Sequence, residues 1–480
     1  MKANKPKVTL IVPPVEIQYT RFSTQSNLLL NVYKYPSLGL GYIAAVLEKH
    51  DYLIHYIDMF GSNMNYKTLQ EVLKKNPPEI VGITLDISTL IPARKIARII
   101  RKINPNCKII VGGCQVNIYP RETLQLEEFD IGVIGEGECT MFELMAKLEN
   151  NEKLHDVKGL IFKEANKLIE TPPRPIIKNL DQLPFPARHL MPLDKYYSNV
   201  GKKRLMTSIL SSRGCPFNCI FCIRNPPWRG RSPKNVVDEL EAVKNEFGID
   251  EFVFIDSTMT VDKNRVIEIC KEIIRRKLKI IWESITRVDC VNQELLYWMK
   301  KAGCMQIRFG IESGDPRILK ILQKNISLKQ IENAILWAKK AGLEVITYFM
   351  IGCPGDTIQS INRTINFAKK LDSDFATFVI ATPGPGTEML DLAIKQGLVE
   401  KDIWIKFVKG ETMEVPVPRF ETEEYDSKKL FKLTRKAYLN FYIRPKYILK
   451  RVKKLKSFSE FRNHINGFIN LLFELFGIYH

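Results

Sequence analysis

The 480-residue sequence has no run of about 18 consecutive apolar residues, so no membrane-spanning helix is expected. It opens MKANKPKVTLIVPPV, a short apolar run without a small-residue cleavage site, which reads as a buried strand rather than a secretory leader. Cysteine is sparse, ten residues with none beyond Cys353. Without a leader, a disulfide framework is not expected and a reducing cytoplasm is. There is no internal repeat, no low-complexity tract and no recognisable RNA-binding module, so nucleic acid is not an expected partner. Acidic residues are the minority, 53 against 72 Lys and Arg, which leaves a net charge of +19. By itself that charge is compatible with nucleic acid, an anionic membrane surface, a phosphorylated substrate or simply a lysine-rich solvated face. At 45% hydrophobic and 26% charged, the chain can build more than one core, and its length predicts two or three domains.

The first 150 residues alternate strand and helix patterns. Val8–Val12, Leu53–Asp58, Ile80–Leu85, Lys108–Val111 and Asp130–Ile134 are short β-branched runs, with helical stretches such as Leu38–His50 and Ile91–Ile103 between them. This predicts a doubly wound α/β domain with a parallel sheet. Such sheets bind ligands beyond the carboxyl ends of their strands, where Gly112-Gly113 and Gly135-Glu136-Gly137-Glu138 fall. Residues 151–202 read as a proline-rich linker with a small hairpin, Val157–Phe162 and Lys167–Glu170. A second α/β series fills 203–390, with candidate strands Leu205–Leu210, Glu251–Ile255, Lys279–Glu283, Met305–Gly310, Leu343–Met350 and Asp374–Ile380. Six strand–helix units are too few for a closed eight-unit barrel, so an open (β/α)6 barrel is expected, with its active site at the carboxyl ends of the strands. Residues 391–480 read as a largely helical basic region.

The most informative segment follows the first barrel strand: Ser211-Ser212-Arg213-Gly214-Cys215-Pro216-Phe217-Asn218-Cys219-Ile220-Phe221-Cys222. Iron–sulfur clusters are held by cysteine thiolates, and three close thiolates leave one iron of a [4Fe-4S] cluster open. A structural zinc site needs a fourth Cys or His, and none is visible nearby. Clustering of core cysteines is the other alternative. Cys270 and Cys304, inside helical and strand pattern, read as core.

The C-x3-C-x2-C spacing resembles the radical S-adenosylmethionine (SAM) superfamily. The resemblance implies that Cys215, Cys219 and Cys222 hold a [4Fe-4S] cluster and that SAM binds its open iron. It implies that one electron cleaves SAM to methionine and a 5′-deoxyadenosyl radical, which abstracts hydrogen from the substrate. Phe221 matches the aromatic position that shields the cluster and adenine side. Asp256, Ser257 and Thr258 stand where the superfamily often has Gly-Gly-Glu, though the glycines are missing here. Arg287, Glu312 and Ser313 follow the next two strands, where charged groups hold the SAM carboxylate or ribose by charge-assisted hydrogen bonds. Gly352-Cys353-Pro354-Gly355 resembles the adenine-side turn, and Pro383–Glu388 follows the last strand.

Tyr35–Tyr42 leading into a helix, then Gly112-Gly113, then Gly135–Glu138, resemble the cobalamin-binding domain of cobalamin-dependent radical SAM proteins. The group containing the anaerobic magnesium-protoporphyrin monomethyl ester cyclase, C-methylases and lipid-modifying enzymes is the pattern most similar. Thr84, Gly112, Gly113, Gly135, Glu136, Gly137 and Glu138 are the implied cobalamin contacts. The chain lacks the Asp-x-His-x-x-Gly motif whose His ligates cobalt in many cobalamin domains, so no His is expected beneath it. The implied reaction is methyl transfer to an unactivated carbon of a small, hydrophobic substrate, served by an electron donor such as a ferredoxin or flavodoxin. Oxidative ring closure or carbon–carbon coupling on the same scaffold is the alternative, and a cofactor-holding protein without turnover is a third reading. From Arg444 to Lys456 there are seven basic residues and no acidic one, followed by Ile465, Phe468, Ile469, Leu472, Phe473, Leu475 and Phe476 at helical spacing. Two readings stand: an amphipathic tail whose apolar side packs on the barrel, or a peripheral membrane contact for a cytoplasmic protein.

Overall fold

The computed structural model describes residues 5–15, 34–165, 167–198, 204–223, 226–411 and 418–454. They form two compact units. The first runs to Tyr196 and includes residues from Asp402 to 411; the second comprises Tyr197–Lys401 and the residues from 418 on.

The first unit contains β1 (Val8–Val12), α1 (Leu38–Lys49), β2 (Ile54–Asp58), α2 (Tyr66–Lys75), β3 (Ile80–Thr84), α3 (Leu90–Ile103), β4 (Lys108–Gly112), α4 (Cys114–Ile118), α5 (Pro120–Gln125), β5 (Ile131–Val133), α6 (Gly137–Glu149), β6 (Leu160–Glu164) and β7 (Lys167–Glu170). Sheet order is β2-β1-β3-β4-β5-β6-β7, with the first five strands parallel. Helices cover both faces, so the inner strands are buried on both sides and read as continuous apolar runs rather than alternating ones. Helix α3 shows why its segment is helical: Ala93, Ile96, Ala97 and Ile100 recur at i, i+3, i+4, i+7 and all four are fully buried. The hairpin read as part of a linker joins this sheet. Strand β6 pairs antiparallel with β5, Ile131 opposite Phe162, and β7 adds the edge.

The second unit contains β8 (Met206–Ile209), the two-residue strands β9 (Ser212–Arg213) and β10 (Arg229–Gly230), α7 (Pro233–Phe247), β11 (Glu251–Phe254), α8 (Lys263–Arg275), β12 (Ile281–Thr286), α9 (Gln293–Lys301), β13 (Cys304–Glu312), α10 (Pro316–Ile321), α11 (Leu328–Lys340), β14 (Glu344–Ile351), α12 (Ile358–Leu371), β15 (Phe375–Ile380) and α13 (Glu388–Lys395). Its sheet is parallel throughout, ordered β8-β11-β12-β13-β14-β15 in chain order. Strands β8 and β15 do not pair with each other, so this is the open six-unit barrel. Caps fix where its helices begin: Ser232 precedes Pro233 at α7, and Ser327 with Gln330 forms a capping box at α11.

Helix α14 (Ile403–Lys409) belongs to the first unit, where Phe407 and Val408 enter the core on one face of the sheet. Helices α15 (Ser427–Tyr442) and α16 (Pro445–Lys454) return to the barrel. Helix α15 covers the unpaired edge of β15. The Tyr438 hydroxyl accepts the Phe378 N–H at 3.1 Å, and the Tyr442 hydroxyl both accepts the Ala376 N–H at 3.1 Å and donates to its carbonyl at 2.9 Å. Backbone groups that an open edge leaves bare are thereby satisfied.

Candidate active site

The cysteine loop leaves the carboxyl end of β8. Buried polar groups brace its base: Asp256 accepts the Ser211 N–H at 3.1 Å and hydroxyl at 2.7 Å, and also binds the Ser212 hydroxyl. Arg265 donates to the Ser211 carbonyl and hydroxyl, both at 3.1 Å, while Arg231 pairs with Glu239 and donates to the Leu210 carbonyl at 2.9 Å. Gly214 has φ +82°, and a Cβ there would collide with the carbonyls of Pro226 and Pro227. Further along, Ile220 bonds Leu322 at 3.2 Å and Met389 at 2.8 Å through its backbone. These bonds hold the loop through its backbone and the hydroxyls of Ser211 and Ser212.

Cys219 is buried, Cys215 half-buried and Cys222 exposed. The Arg287 guanidinium donates to Cys219 Sγ at 3.3 Å, stacks 3.8 Å from the Phe217 ring centre, and bonds Asp289 and the Lys324 carbonyl. Burial pushes the Cys219 thiol up, and Lys324 and Arg287 pull it back toward the thiolate. Cys215 Sγ lies 3.7 Å from the Thr258 hydroxyl. Lys324 Nζ bonds Glu312 at 2.9 Å and sits 5.6 Å from the Phe221 ring centre. A register shift between Gly310 and Glu312 and a φ of +68° at Glu312 turn that carboxylate toward Lys324. Gly310 supplies the room, since a Cβ there would overlap the Glu312 carboxylate.

Cys219, Arg287, Glu312 and Phe221 are therefore brought together through Lys324. Of the other residues proposed to contact SAM, Asp256 bonds Ser211 and Ser212 at the base of the cysteine loop, Ser257 is exposed, and the Ser313 hydroxyl lies 3.1 Å from that of Thr364. Gly352, at φ +75°, approaches Leu430 of α15, where a Cβ would come within 2.7 Å. Lys324 and Gly310 were not singled out from the sequence. Lys324 lies in an exposed-looking Gln-Lys-Asn turn, and only the tertiary fold buries it to 5% exposure. The glycine two residues before Glu312 was the available signal.

Three thiols on one loop, with an arginine N–H on the most buried one and a second cation within reach, suit a thiolate-held iron–sulfur cluster. Among the described residues no three His, Cys, Asp or Glu side chains converge tightly enough to enclose a single metal ion. A four-iron cluster spreads its thiolates more widely than one ion does.

In the first unit, order β2-β1-β3-β4-β5 puts the topological switch point at the carboxyl ends of β1 and β3. Thr84, Gly112-Gly113 and Gly135–Glu138 lie along that edge, at the ends of β3, β4 and β5. Gly113, at φ +110°, approaches the Leu85 carbonyl, where a Cβ would stand 2.5 Å away. Gly135, at φ +85°, faces open space and bonds Asn117 through its N–H at 2.7 Å. Glu136 accepts the Ile177 N–H at 2.7 Å, Gly137 packs near Ile43, and Glu138 is buried in the first turn of α6. Bare backbone facing open space at a switch point suits a large, flat cofactor. His50 and His55 lie toward the opposite, amino-terminal end of the strands, His50 after α1 and His55 opposite Thr9. Asp58 escaped the sequence reading: at the end of β2 it is buried, bonded to the Gly61 N–H at 2.7 Å and to the Tyr196 hydroxyl, and burial pushes its carboxyl up.

Comparison with known proteins matches the Radical SAM superfamily over residues 209–368 and the B12 binding domain over residues 31–145. An uncharacterised methyltransferase of Pyrococcus horikoshii is 36% identical over 98% of this chain and 99% of its own length. An anaerobic magnesium-protoporphyrin IX monomethyl ester cyclase of Rubrivivax gelatinosus is 27% identical over 74% of this chain and 66% of its own. The cobalamin-dependent SAM radical enzyme OxsB, solved with aqua-cobalamin bound, superposes with a TM-score of 0.75 over 98% of this chain and 72% of its own at 17% identity, a likeness of fold.

Proposed function

The chain belongs to the radical SAM superfamily, in the branch that carries a B12-binding domain, and on that premise we propose that it transfers a methyl group to an unactivated carbon of a small hydrophobic substrate. It is an enzyme of SAM, a [4Fe-4S] cluster and cobalamin. When bound, the cluster supplies the electron that splits SAM and cobalamin carries the methyl group in transit.

The residues divide the remaining work. Cys215, Cys219 and Cys222 would hold the cluster. Arg287 directs an N–H and a positive charge at Cys219 Sγ, which favours the thiolate over the thiol. Lys324 and Glu312 present a buried ion pair beside Phe221, suited to the ammonium and carboxylate of an amino acid moiety. Thr84, Gly112-Gly113 and Gly135–Glu138 would line the cobalamin. The observation that carries the site reading is the direct chain of contacts Cys219–Arg287–Lys324–Glu312 on strand-end loops of one barrel. Methyl transfer is supported by the full-length likeness to a protein named a methyltransferase. The likeness to the cyclase favours oxidative ring closure as the second reading. A cytoplasmic setting and a ferredoxin or flavodoxin as electron donor complete the proposal; none of the ten cysteines forms a disulfide. Among the described residues no helix is long and apolar enough to cross a membrane.

The test is anaerobic incubation of reconstituted enzyme with reductant, SAM and lipid or tetrapyrrole extracts, read by mass spectrometry. Methyl transfer predicts a methylated product, S-adenosylhomocysteine and 5′-deoxyadenosine together. A product that has lost hydrogen, without S-adenosylhomocysteine, selects ring closure instead.

A further inference from the structure

Helix α16 has two unlike sides. Tyr447 and Arg451, four residues apart, face the barrel. The Tyr447 hydroxyl donates to the Asp374 carbonyl at 2.8 Å, and Arg451 reaches Glu344 at 3.3 Å and Asp374 at 3.7 Å while stacking 4.2 Å from the Phe375 ring centre. Arg444, just before the helix, and Lys450 both pair with Asp372. The other side carries Ile448, Leu449 and Val452, which are 47%, 62% and 52% exposed, with Ile443 preceding them at 50%. At 3.6 residues per turn these three helical positions form one stripe, and the exposed Lys446 flanks it. The sequence leaves two readings of the tail, an apolar side packed on the barrel or a peripheral membrane contact. In α16 the inward side is tyrosine and arginine, and the aliphatic side faces out. Residues 457–480, which carry the second apolar stretch, lie outside the described residues.

We propose that α16 is an interfacial anchor for an anionic lipid surface. An exposed aliphatic stripe flanked by lysine is the composition that enters a headgroup layer. Of the seven basic residues between Arg444 and Lys456, Arg444, Lys450 and Arg451 pair with acids on the inner side. The exposed Lys446 stands beside the stripe, no acid lies in the segment to oppose it, and charge of that sign complements negative lipid. The acidic groups that α16 meets, Asp372, Asp374 and Glu344, are already paired on its inner side. The fold also fixes what the anchor does. Glu344 begins β14, and Asp374 immediately precedes β15, so α16 docks at the amino-terminal end of the strands. The cysteine loop leaves their carboxyl end. The anchor therefore sits at the end of the barrel opposite the cofactor loop, and it tethers the enzyme rather than feeding substrate into the site. This inference does not depend on which reaction the site performs.

The experiment is co-sedimentation of the full-length, cluster-loaded protein with phosphatidylcholine vesicles, with or without phosphatidylglycerol. The parent should bind the anionic vesicles at low salt, release at high salt, and bind neutral vesicles at least ten-fold more weakly. Leu449→Glu/Val452→Glu should lower anionic-vesicle partitioning at least ten-fold and leave 5′-deoxyadenosine formation from SAM unchanged. Lys446→Glu, a change confined to an exposed side chain, should lower it several-fold and serves if the double variant folds poorly. A chain ending at Lys456 should still bind. Four outcomes overturn the proposal: no binding by the parent, equal binding by both sets of variants, binding lost only on deletion of 457–480, or a parent dimer that the double variant dissolves, which would give the stripe to a second copy.

Discussion

Replacing Lys324 with Met keeps the aliphatic stem beside Phe221 and removes the charge. Lys324 Nζ and Glu312 are 2.9 Å apart, with side chains only 6% and 10% exposed. At that distance the attraction is about 6 kcal/mol for an effective dielectric near 20. The net effect is smaller than the gross one, because both ions were desolvated on folding. Removing one partner of such a pair typically costs about 3–5 kcal/mol, since the other charge stays buried and unpaired. For a domain of this size that is a melting-temperature drop on the order of 10 °C. Lys324→Met/Glu312→Gln leaves no unpaired charge and should recover most of the loss. The assay is thermal unfolding of the cluster-free chain under anaerobic conditions, so that cluster release does not enter the transition. A Lys324→Met chain melting within about 2 °C of the parent, or a double variant as unstable as the single one, would refute the reasoning. If the pair also works on substrate or SAM, the stable double variant will still fail to cleave SAM.

Asp356 gives a pH signature. Burial is the main cause that lifts its carboxyl to about 6, against hydrogen bonds from Ser360 and the backbone. The folded chain therefore keeps the proton between about pH 4 and 6 while the unfolded chain loses it. Stability linked to this group is fully present below about pH 4 and is lost as pH rises through 6, by at most about 3 kcal/mol. Asp356→Asn should flatten that part of a urea-midpoint profile measured from pH 4.5 to 8. Gly135→Ala meets no protein atom, so it should cost only about 1 kcal/mol in backbone strain yet weaken cobalamin binding in a spectroscopic titration. Unchanged affinity would move the cobalamin away from that turn. Cobalt in the loaded protein should show no histidine nitrogen hyperfine coupling, because His50 and His55 sit at the far end of the strands.

Both sheets were legible in the sequence because parallel strands buried on two faces leave unbroken β-branched runs, and Ile80–Thr84 and Phe375–Ile380 lie within the predicted limits. The hairpin was legible as a hairpin but not as an edge of the first sheet, since antiparallel addition to β5 depends on where the chain turns back. The return of Phe407 and Val408 to the first unit left no local mark either. Within the site, the cysteine spacing and Arg287 were readable, being fixed by chemistry and by position after a strand. Lys324 was not, because its burial and its bond to Glu312 arise from a bulge at Gly310 that periodicity does not report. At Asp256 the sequence does not report that its oxygens hold Ser211 and Ser212 at the base of the cysteine loop.

The most direct test of the account is iron and SAM chemistry in Cys219→Ala beside the parent, both reconstituted anaerobically. The parent should hold about four irons per chain with the absorbance of a [4Fe-4S] cluster and release 5′-deoxyadenosine when reduced with SAM. The variant should melt like the cluster-free parent, hold no stable cluster and release none. A Cys219→Ala protein that keeps a SAM-cleaving cluster would contradict the central claim.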